Sequence, residues 1–325
     1  MKLFLLFSVL LANTYALATA ENQLSQEFHL RKEASSYLEE ALSYMEEGSV
    51  NRNALDWNLL KIEVYKKAAN AVTTKDTYEA IELALSLLND NHSFLLRPTQ
   101  VKYLESRNNN QSASVIQSCS KLIENQIGYL LIPSCYSLSE NELKEYTMSI
   151  QQEIQTLDKK KPGKWIIDLR GNSGGDMWPM VLGLRPFIKG NIFGFFSNGL
   201  GDSYAWNLED LPETYLLNTS PYCLSQPHPQ IAILVDKETA SSGEAVTVAF
   251  LGQDQTRVFG QKTGGYTSAN EAISLSDGAI IFLATTYLAD RLGRIYTDGI
   301  TPEQITEIGD ATLYEAIQWL QEEDK

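Results

Sequence analysis

The 325-residue sequence predicts an α/β fold that is preceded by a small helical domain. Two patterns carry this prediction. From about residue 27 to residue 89, apolar residues recur at helical spacing, as Leu59, Ile62 and Tyr65 do. From residue 127 onwards, short apolar runs alternate with amphipathic segments, which is typical of strands that alternate with helices and pair partly in parallel. We therefore expect a small helical domain that is followed in sequence by a mixed sheet with flanking helices.

Each segment of the chain has its own composition. Residues 21–96 form the predicted helical domain, residues 97–126 are polar and form a linker or loop, and residues 127–325 form the core. Buried strands are predicted at residues 127–132, 164–169 and 230–235, and further strands at 256–259 and 279–284. Helices are predicted at residues 140–157 and 311–322, with others beginning near 176 and 241.

The first twenty residues have the pattern of a secretory signal peptide. Lys2 precedes an apolar run, residues 3–12, and the segment ends in Ala18-Thr19-Ala20, a typical cleavage site. An uncleaved anchor is the less favoured interpretation, because a membrane-spanning helix needs about 20 apolar residues. We expect an exported protein, periplasmic or extracellular, with no integral membrane span after cleavage.

The composition excludes several classes of partner. With 41 acidic and 26 basic residues, the formal net charge is -15, which argues against nucleic acid and against anionic membrane surfaces. Three histidines and three cysteines without an H-E-x-x-H or C-x-x-C motif predict no metal and no cofactor. Cys119 and Cys135 flank an apolar segment, and both a disulfide between them and separate thiols are compatible with the sequence.

Two glycine- or serine-rich turns each join a predicted strand to a helix, where α/β proteins place ligands and catalytic groups. Residues 168–175 read Asp-Leu-Arg-Gly-Asn-Ser-Gly-Gly. The glycines permit a sharp turn, and helix-terminal N–H groups there can hold an anion. A phosphate-binding loop is disfavoured, because the Lys followed by Ser or Thr is missing.

The second turn, residues 235–244, reads Val-Asp-Lys-Glu-Thr-Ala-Ser-Ser-Gly-Glu. Ser241 stands at the strand-to-helix junction, as in a nucleophile elbow, although the G-x-S-x-G spelling is absent. The alternative is that Thr239, Ser241 and Ser242 only cap the helix, and the local sequence alone favours this alternative.

Together with residues 260–265, Gly-Gln-Lys-Thr-Gly-Gly, the two turns resemble those of the S41 peptidases, the C-terminal-processing or tail-specific serine proteases. The resemblance covers roughly residue 127 to the end of the chain. It implies that Ser241 is the nucleophile and that the backbone N–H groups of Gly174 and Ser242 form the oxyanion hole. The same motifs supply the secondary, substrate-binding candidates Asn172, Gly175, Glu244 and Tyr266.

The catalytic base differs from that of the Ser–Lys members of the family. Those members carry a Lys two residues past the position of Gly264, where this chain has Tyr266, and Lys262 is four residues out of register. A serine hydroxyl still needs a base. His92, in Asn-Asp-Asn-His-Ser-Phe, resembles the histidine of the Ser–His branches, the tricorn-like and nisin-resistance-type peptidases. A helix C-cap histidine without catalytic duty is the alternative.

The remaining histidines are less suitable bases, since His29 begins the helical domain and His228 lies between two prolines. Asp90, Glu244 and Asp298 are the candidates for the acid that orients His92, and a dyad without an acid stays open as well. Asp90 is close to His92 in sequence, whereas Glu244 and Asp298 lie in the matching motifs.

The resemblance also bears on domain content and substrate. The 34 residues 93–126 are too few for a PDZ domain, so the layout resembles that of nisin-resistance-type peptidases. The sequence predicts an exported serine endopeptidase that acts on peptides or exposed protein tails. A catalytically inactive peptide- or ligand-binding protein on the S41 fold is the alternative, because the Lys of the Ser–Lys members is missing.

Overall fold

The computed structural model describes residues 21–110, 118–136, 139–211, 215 and 222–322. The predicted signal peptide, residues 1–20, lies outside the described residues. The chain divides into two compact units. The first unit comprises the residues up to Glu105 together with Asn270–Thr285, and the second comprises Ser106–Ala269 and Thr286–Lys325.

The first unit contains the helices that the apolar spacing predicts. They are α1 (Lys32–Gly48), α2 (Trp57–Lys67) and α3 (Tyr78–Leu87), with short 3-10 helices at Arg52–Ala54 and Thr74–Thr77. Strand β1 (Phe94–Leu96) follows α3 and pairs antiparallel with the first residues of β10 (Ile280–Ala289). The segment 270–285, far away in sequence, thus contributes to the core of this unit through Leu275, Ala279, Ile281 and Leu283.

The buried face of α2 differs from the one that the sequence predicts. Leu59 and Ile62 are 62% and 40% exposed. The buried residues of this helix are Leu60, Lys61, Val64 and Tyr65. The ammonium of Lys61 lies 2.8 Å from a carboxylate oxygen of Glu21 and 2.6 Å from one of Glu46. These two ion pairs allow a lysine to replace an apolar residue on the inner face.

The segment 97–126, predicted as a linker or loop, is largely regular. It contains helix α4 (Pro98–Asn110) and strand β2 (Cys119–Ile123). Proline suits the first position of a helix, and the Gln100 side chain accepts from the Arg97 N–H at 2.8 Å. Strand β2 is polar, and it forms because it pairs antiparallel with β3 (Ile127–Leu131) at the edge of a sheet.

The second unit is built on a six-stranded sheet in the order β12-β8-β7-β4-β3-β2. Its further strands are β4 (Lys164–Asp168), β7 (Gln230–Val235), β8 (Thr256–Gly260) and β12 (Gln304–Ile305). All neighbours pair in parallel except β2 and β3. The predicted α/β fold with a mixed sheet is confirmed. The remaining strands are β5 (Ile192–Ser197), β6 (Ser203–Asn207), β9 (Ser268–Ser274) and β11 (Ile295–Tyr296).

Helices cover both faces of this sheet. Helices α5 (Glu140–Asp158), α6 (Met177–Gly183) and α7 (Ser242–Phe250) pack on one face, against side chains such as Ile167 and Ile233. Helix α8 (Asp310–Glu322) packs on the other face. Strands buried on both faces read as continuous apolar runs. Because β4 and β7 are parallel neighbours, the turns that follow them meet at one edge of the sheet.

The described residues bear on two expectations from the sequence, a disulfide and a membrane-spanning helix. No disulfide joins Cys119, which is exposed, to Cys135, which is buried. In the part of the chain that the structure describes, no helix is both long and apolar enough to cross a membrane.

Candidate active site

The turn that follows β4 depends on two glycines. Gly174 and Gly175 have φ values of 106° and 107°, which residues with a side chain rarely adopt. Gly175 also lies against Cys135, and a Cβ atom at position 175 would be 2.0 Å from the Cys135 carbonyl oxygen. The N–H of Cys135 donates to the Gly174 carbonyl at 2.9 Å. Gly175 therefore allows this close approach, and its role in substrate binding stays a prediction.

Asn172 holds the turn from inside. Its Nδ2 donates to the Ile132 carbonyl at 3.0 Å and to Met180 Sδ at 3.2 Å, and its Oδ1 accepts from the Gly174 N–H at 3.0 Å. Its backbone carbonyl accepts from the Ala240 N–H at 2.9 Å. Asn172 is 1% exposed and connects the two turns through these bonds. Its role in substrate binding stays a prediction.

Ser241 occupies the N-cap of α7, between β7 and that helix, as the sequence predicts. Its φ of 51° and ψ of -117° are uncommon for a residue with a side chain and cost about 1–3 kcal/mol. The preceding turn is held by Asp236, whose Oδ1 accepts from the N–H groups of Thr239 and Gly171, each at 3.0 Å. The bond from Gly171 links this turn to the turn after β4. Such strain at a strand-to-helix junction is typical of an exposed nucleophile.

The two turns bring Gly174, Ser241 and Ser242 together. A Cβ atom at Gly174 would lie 2.9 Å from Ser241 Cβ and 3.0 Å from the Ser242 nitrogen. The Ser242 hydroxyl donates to the Gly175 carbonyl at 2.6 Å. The Ser242 N–H opens α7, and the first N–H groups of a helix have no partner within the helix. It is thus suited to donate to a negative charge that develops beside Ser241.

The second expected oxyanion donor is engaged in this structure. The N–H of Gly174 donates to Asn172 Oδ1 at 3.0 Å, in a buried position. An oxyanion beside Ser241 has to share this donor with Asn172 or displace it.

Glu244 fixes the backbone around Ser241. Its carboxylate is fully buried. One oxygen accepts from the N–H groups of Ser241 (2.9 Å) and Tyr266 (2.8 Å), and the other from the hydroxyl of Thr263 (2.5 Å) and the N–H of Gly265 (3.0 Å). Burial raises the pKa of Glu244, and these hydrogen bonds oppose the rise. One carboxylate therefore holds both the nucleophile turn and the loop 263–266.

Residues 126–306, more than half of the chain, match the sequence profile of peptidase family S41. The chain belongs to this family. It is 26% identical to the nisin-resistance protein of Lactococcus lactis subsp. lactis over 302 residues, which are 89% of this chain and 87% of that protein. A structure of a lipoprotein from Streptococcus agalactiae matches with a TM-score of 0.75 and 25% identity over 90% of this chain and 98% of that one. The photosystem II D1 C-terminal processing protease shares the fold, with a TM-score of 0.63, 15% identity and coverage of 85% and 94%.

Tyr266 stands where the Ser–Lys members of the S41 family carry their lysine. Its side chain is 39% exposed, and its backbone N–H is bound to Glu244. Lys262, which is out of register for this role, lies 2.6 Å from a carboxylate oxygen of Asp298. Both members of this ion pair are exposed.

His92, the expected base of an S41 Ser–His site, belongs to the first unit. It lies between α3 and β1, where the sequence predicts that a helix ends and a strand begins. Its backbone N–H donates to Asp90 Oδ1 at 2.9 Å, and its backbone carbonyl accepts from Asn270 Nδ2 at 2.8 Å. The Asp90 carboxylate also accepts from the N–H and hydroxyl of Ser93, each at 2.7 Å. Asp90 thus shapes the backbone turn that carries His92.

Two residues of this S41 site have roles that the sequence analysis missed. Asp236 ties the nucleophile turn to the first turn through Gly171, and Thr263 donates to Glu244 across 19 residues of sequence. The spacing of Asp236 and Thr239, three residues apart, is a local sign of an Asx turn. The contact of Thr263 has no local sign. Within the described residues, no group of three His, Cys, Asp or Glu side chains is arranged to hold a metal ion.

Proposed function

We propose that this S41 protein is an exported serine endopeptidase that cleaves peptides or exposed protein tails. Ser241 is the nucleophile, His92 the base, and the N–H groups of Gly174 and Ser242 the oxyanion donors. The observation that carries the proposal is the position of Ser241. It has a positive φ, follows a buried strand, and lies beside both Gly174 and the first N–H of a helix.

The chemistry is that of acyl transfer. His92 takes the proton of the Ser241 hydroxyl as the serine oxygen attacks a peptide carbonyl carbon. The carbonyl oxygen becomes an oxyanion and accepts from the two N–H groups. The C–N bond then breaks, and the amine leaves with the proton that His92 held. Water, activated by the same imidazole, hydrolyses the acyl-enzyme and restores Ser241.

The proposed catalytic pair is a dyad of Ser241 and His92. We propose no acid that orients the imidazole. Asp90 holds its own turn, Glu244 is occupied by four donors, and Asp298 lies beside Lys262.

Relatives support the proposed location and substrate class. The lipoprotein from Streptococcus agalactiae matches nearly the whole chain, which favours an extracytoplasmic protein, together with the signal-peptide pattern of residues 1–20. The relative from Lactococcus lactis is named for resistance to nisin, so nisin is one candidate substrate to test.

A second candidate function is peptide binding without catalysis. The observation that favours it is the hydrogen bond from the Gly174 N–H to Asn172 Oδ1, which occupies one of the two oxyanion donors. In enzymes with a serine nucleophile, turnover falls about 10²–10³-fold when one such donor is removed.

Labelling with a fluorophosphonate probe separates the two functions. We expect the mature protein to be labelled at Ser241, identified by mass spectrometry, and labelling to be lost in His92→Ala. His228→Ala is the matched control, since it removes a histidine that lies outside the proposed site, and its labelling should match that of the unmodified protein. Folded protein that resists the probe, or that is labelled equally well without His92, would contradict the proposed mechanism and favour binding.

A further inference from the structure

Asn270 ties strand β9 to the turn that carries His92. Both residues belong to the first unit, although they are 178 positions apart in sequence. The Nδ2 of Asn270 donates to the backbone carbonyl of His92 at 2.8 Å. Because β9 pairs with β10 in a sheet, the donor stands on an element whose own backbone is held in place. The bond therefore attaches the main chain of His92 to a fixed strand.

The other end of the same amide has no partner. The Oδ1 atom of Asn270 is buried, and it forms no hydrogen bond with any of the described residues. A buried acceptor without a donor costs at least as much free energy as a single hydrogen bond at Nδ2 returns. Buried polar groups are nearly always hydrogen-bonded, so this exception needs a reason. An apolar residue of similar size would serve the fold as well, and stability therefore does not account for an asparagine at this position.

The turn that carries His92 depends on side chains for its shape. Residues 88–93 lie between helix α3 and strand β1, so neither regular element fixes their backbone. Asn89 and Asn91 have φ values of 58° and 57°, in the left-handed region that asparagine adopts more readily than most residues do. Asp90 accepts from the His92 N–H two positions along the chain. That bond fixes the local bend, but it does not attach the turn to the rest of the unit.

Other elements of the first unit hold this turn along its length. At its start, Asn51 Nδ2 donates to a backbone carbonyl at 3.0 Å. At its end, the Ala284 N–H donates to the Ser93 hydroxyl at 2.9 Å. Asn270 acts between these two points, on His92 itself. Because the conformation of a side chain depends on the backbone of its own residue, the bond from Asn270 bears on the direction of the imidazole more directly than the other two do.

We propose that Asn270 is a positioning residue for the His92 base, an inference that rests on the proposed function. The bond to the His92 carbonyl restricts the backbone of His92 and thus the rotamers that its imidazole adopts. A base has to stand within hydrogen-bond reach of the proton that it removes, and a displacement of about 1 Å can cost about 100-fold in rate. Asparagine at position 270 thus gives up stability in exchange for an ordered base.

The substitution Asn270→Leu tests this role, because leucine is similar in size and has no hydrogen-bonding group. We expect labelling of Ser241 by the fluorophosphonate probe to slow at least about tenfold, while the urea midpoint of unfolding stays the same or rises. Asn58→Leu is the matched control, since it removes an exposed amide from α2 of the same unit, and it should be labelled at the normal rate. If Asn270→Leu does not fold, Asn270→Val, whose branched side chain suits a strand, takes its place.

Proton NMR of the histidine rings supplies a readout that needs no activity. The chain has three histidines, and the ring signal of His92 is the one that disappears in His92→Ala. We expect Asn270→Leu to shift and broaden this signal, because the imidazole loses its fixed orientation. The signals of His29 and His228 should stay unchanged.

The outcomes separate this inference from the proposed function. If the unmodified protein is not labelled but the His92 signal moves in Asn270→Leu, the positioning role is supported and the peptidase mechanism fails. An unchanged His92 signal would overturn the inference whether or not the protein is labelled. In a protein that is labelled at Ser241, two results would also overturn it: folded Asn270→Leu that reacts as fast as the unmodified protein, or slow labelling together with a much lower urea midpoint, which would indicate a purely structural role.

Discussion

The substitution Glu244→Gln tests whether one buried carboxylate holds the candidate active site together. Four donors converge on its two oxygens, from Ser241, Tyr266, Thr263 and Gly265. Glutamine keeps one acceptor oxygen and turns an NH₂ group towards the donors that faced the other. Two of the four hydrogen bonds are therefore lost, although the side chain keeps its shape.

The expected cost follows from these contacts. A hydrogen bond to a charged group contributes about 1.5–3 kcal/mol, so the loss of two amounts to about 3–6 kcal/mol. Part of this is recovered because the variant no longer buries a charge, whose burial raises the pKa of Glu244. We expect the free energy of unfolding of the second unit to fall by about 2–4 kcal/mol. We also expect probe labelling of Ser241 to slow, since the Ser241 backbone loses its anchor.

Urea denaturation and the labelling rate measure these two effects. Glu238→Gln is the matched control, because Glu238 lies in the same turn with an exposed side chain and should change either quantity little. A Glu244→Gln variant that unfolds within about 0.5 kcal/mol of the control, and is labelled as fast, would refute the reasoning.

Three further predictions concern the turn that follows β4 and the first unit. Gly174→Ala should slow labelling of Ser241 at least about 100-fold, because the new methyl group would lie 2.9 Å from Ser241 Cβ and the turn would have to move the residue's N–H, a proposed oxyanion donor, out of place. Gly171→Ala, also at positive φ but with open space around it, should be labelled at the normal rate. Asp277→Asn should lower the free energy of unfolding of the first unit by about 1–2 kcal/mol in urea denaturation, since its carboxylate accepts from Tyr37 (2.6 Å) and Tyr78 (2.5 Å); an unchanged midpoint would contradict this. Burial alone would raise the pKa of Asp277, but these hydrogen bonds lower it overall, so its stabilising contribution should be complete above about pH 4 and disappear as the pH falls further. Unfolding measured from pH 5 to pH 2 should show this loss in the unmodified protein and lack it in Asp277→Asn.

Much of the second unit could be predicted because its strands are buried on both faces. β3, β4 and β7 read as continuous apolar runs, and the turns after β4 and β7 carry their glycines and serines locally. Strand β2 was missed because its polar residues form a strand only through pairing with β3. The inner face of α2 was misassigned because two glutamates neutralise Lys61.

The residues of the site that could be predicted are likewise those with a local sequence signal. Ser241 and Gly174 were recognised from motifs whose residues are adjacent in sequence, and the structure brings them into contact. The bond between Asn172 and the Gly174 N–H depends on how the Asn172 amide is held by Ile132 and Met180. No sequence pattern encodes that orientation. The pairing of His92 with Ser241 stays a prediction.

The shared oxygen of Glu244 has a consequence for how catalytic bases are exchanged within the S41 family. The N–H groups of Ser241 and Tyr266 both donate to that one atom, so the backbone position that carries a lysine in Ser–Lys members is already in register with the nucleophile. The same buried carboxylate therefore sets the spacing between the nucleophile turn and the backbone of residue 266, whichever side chain position 266 carries.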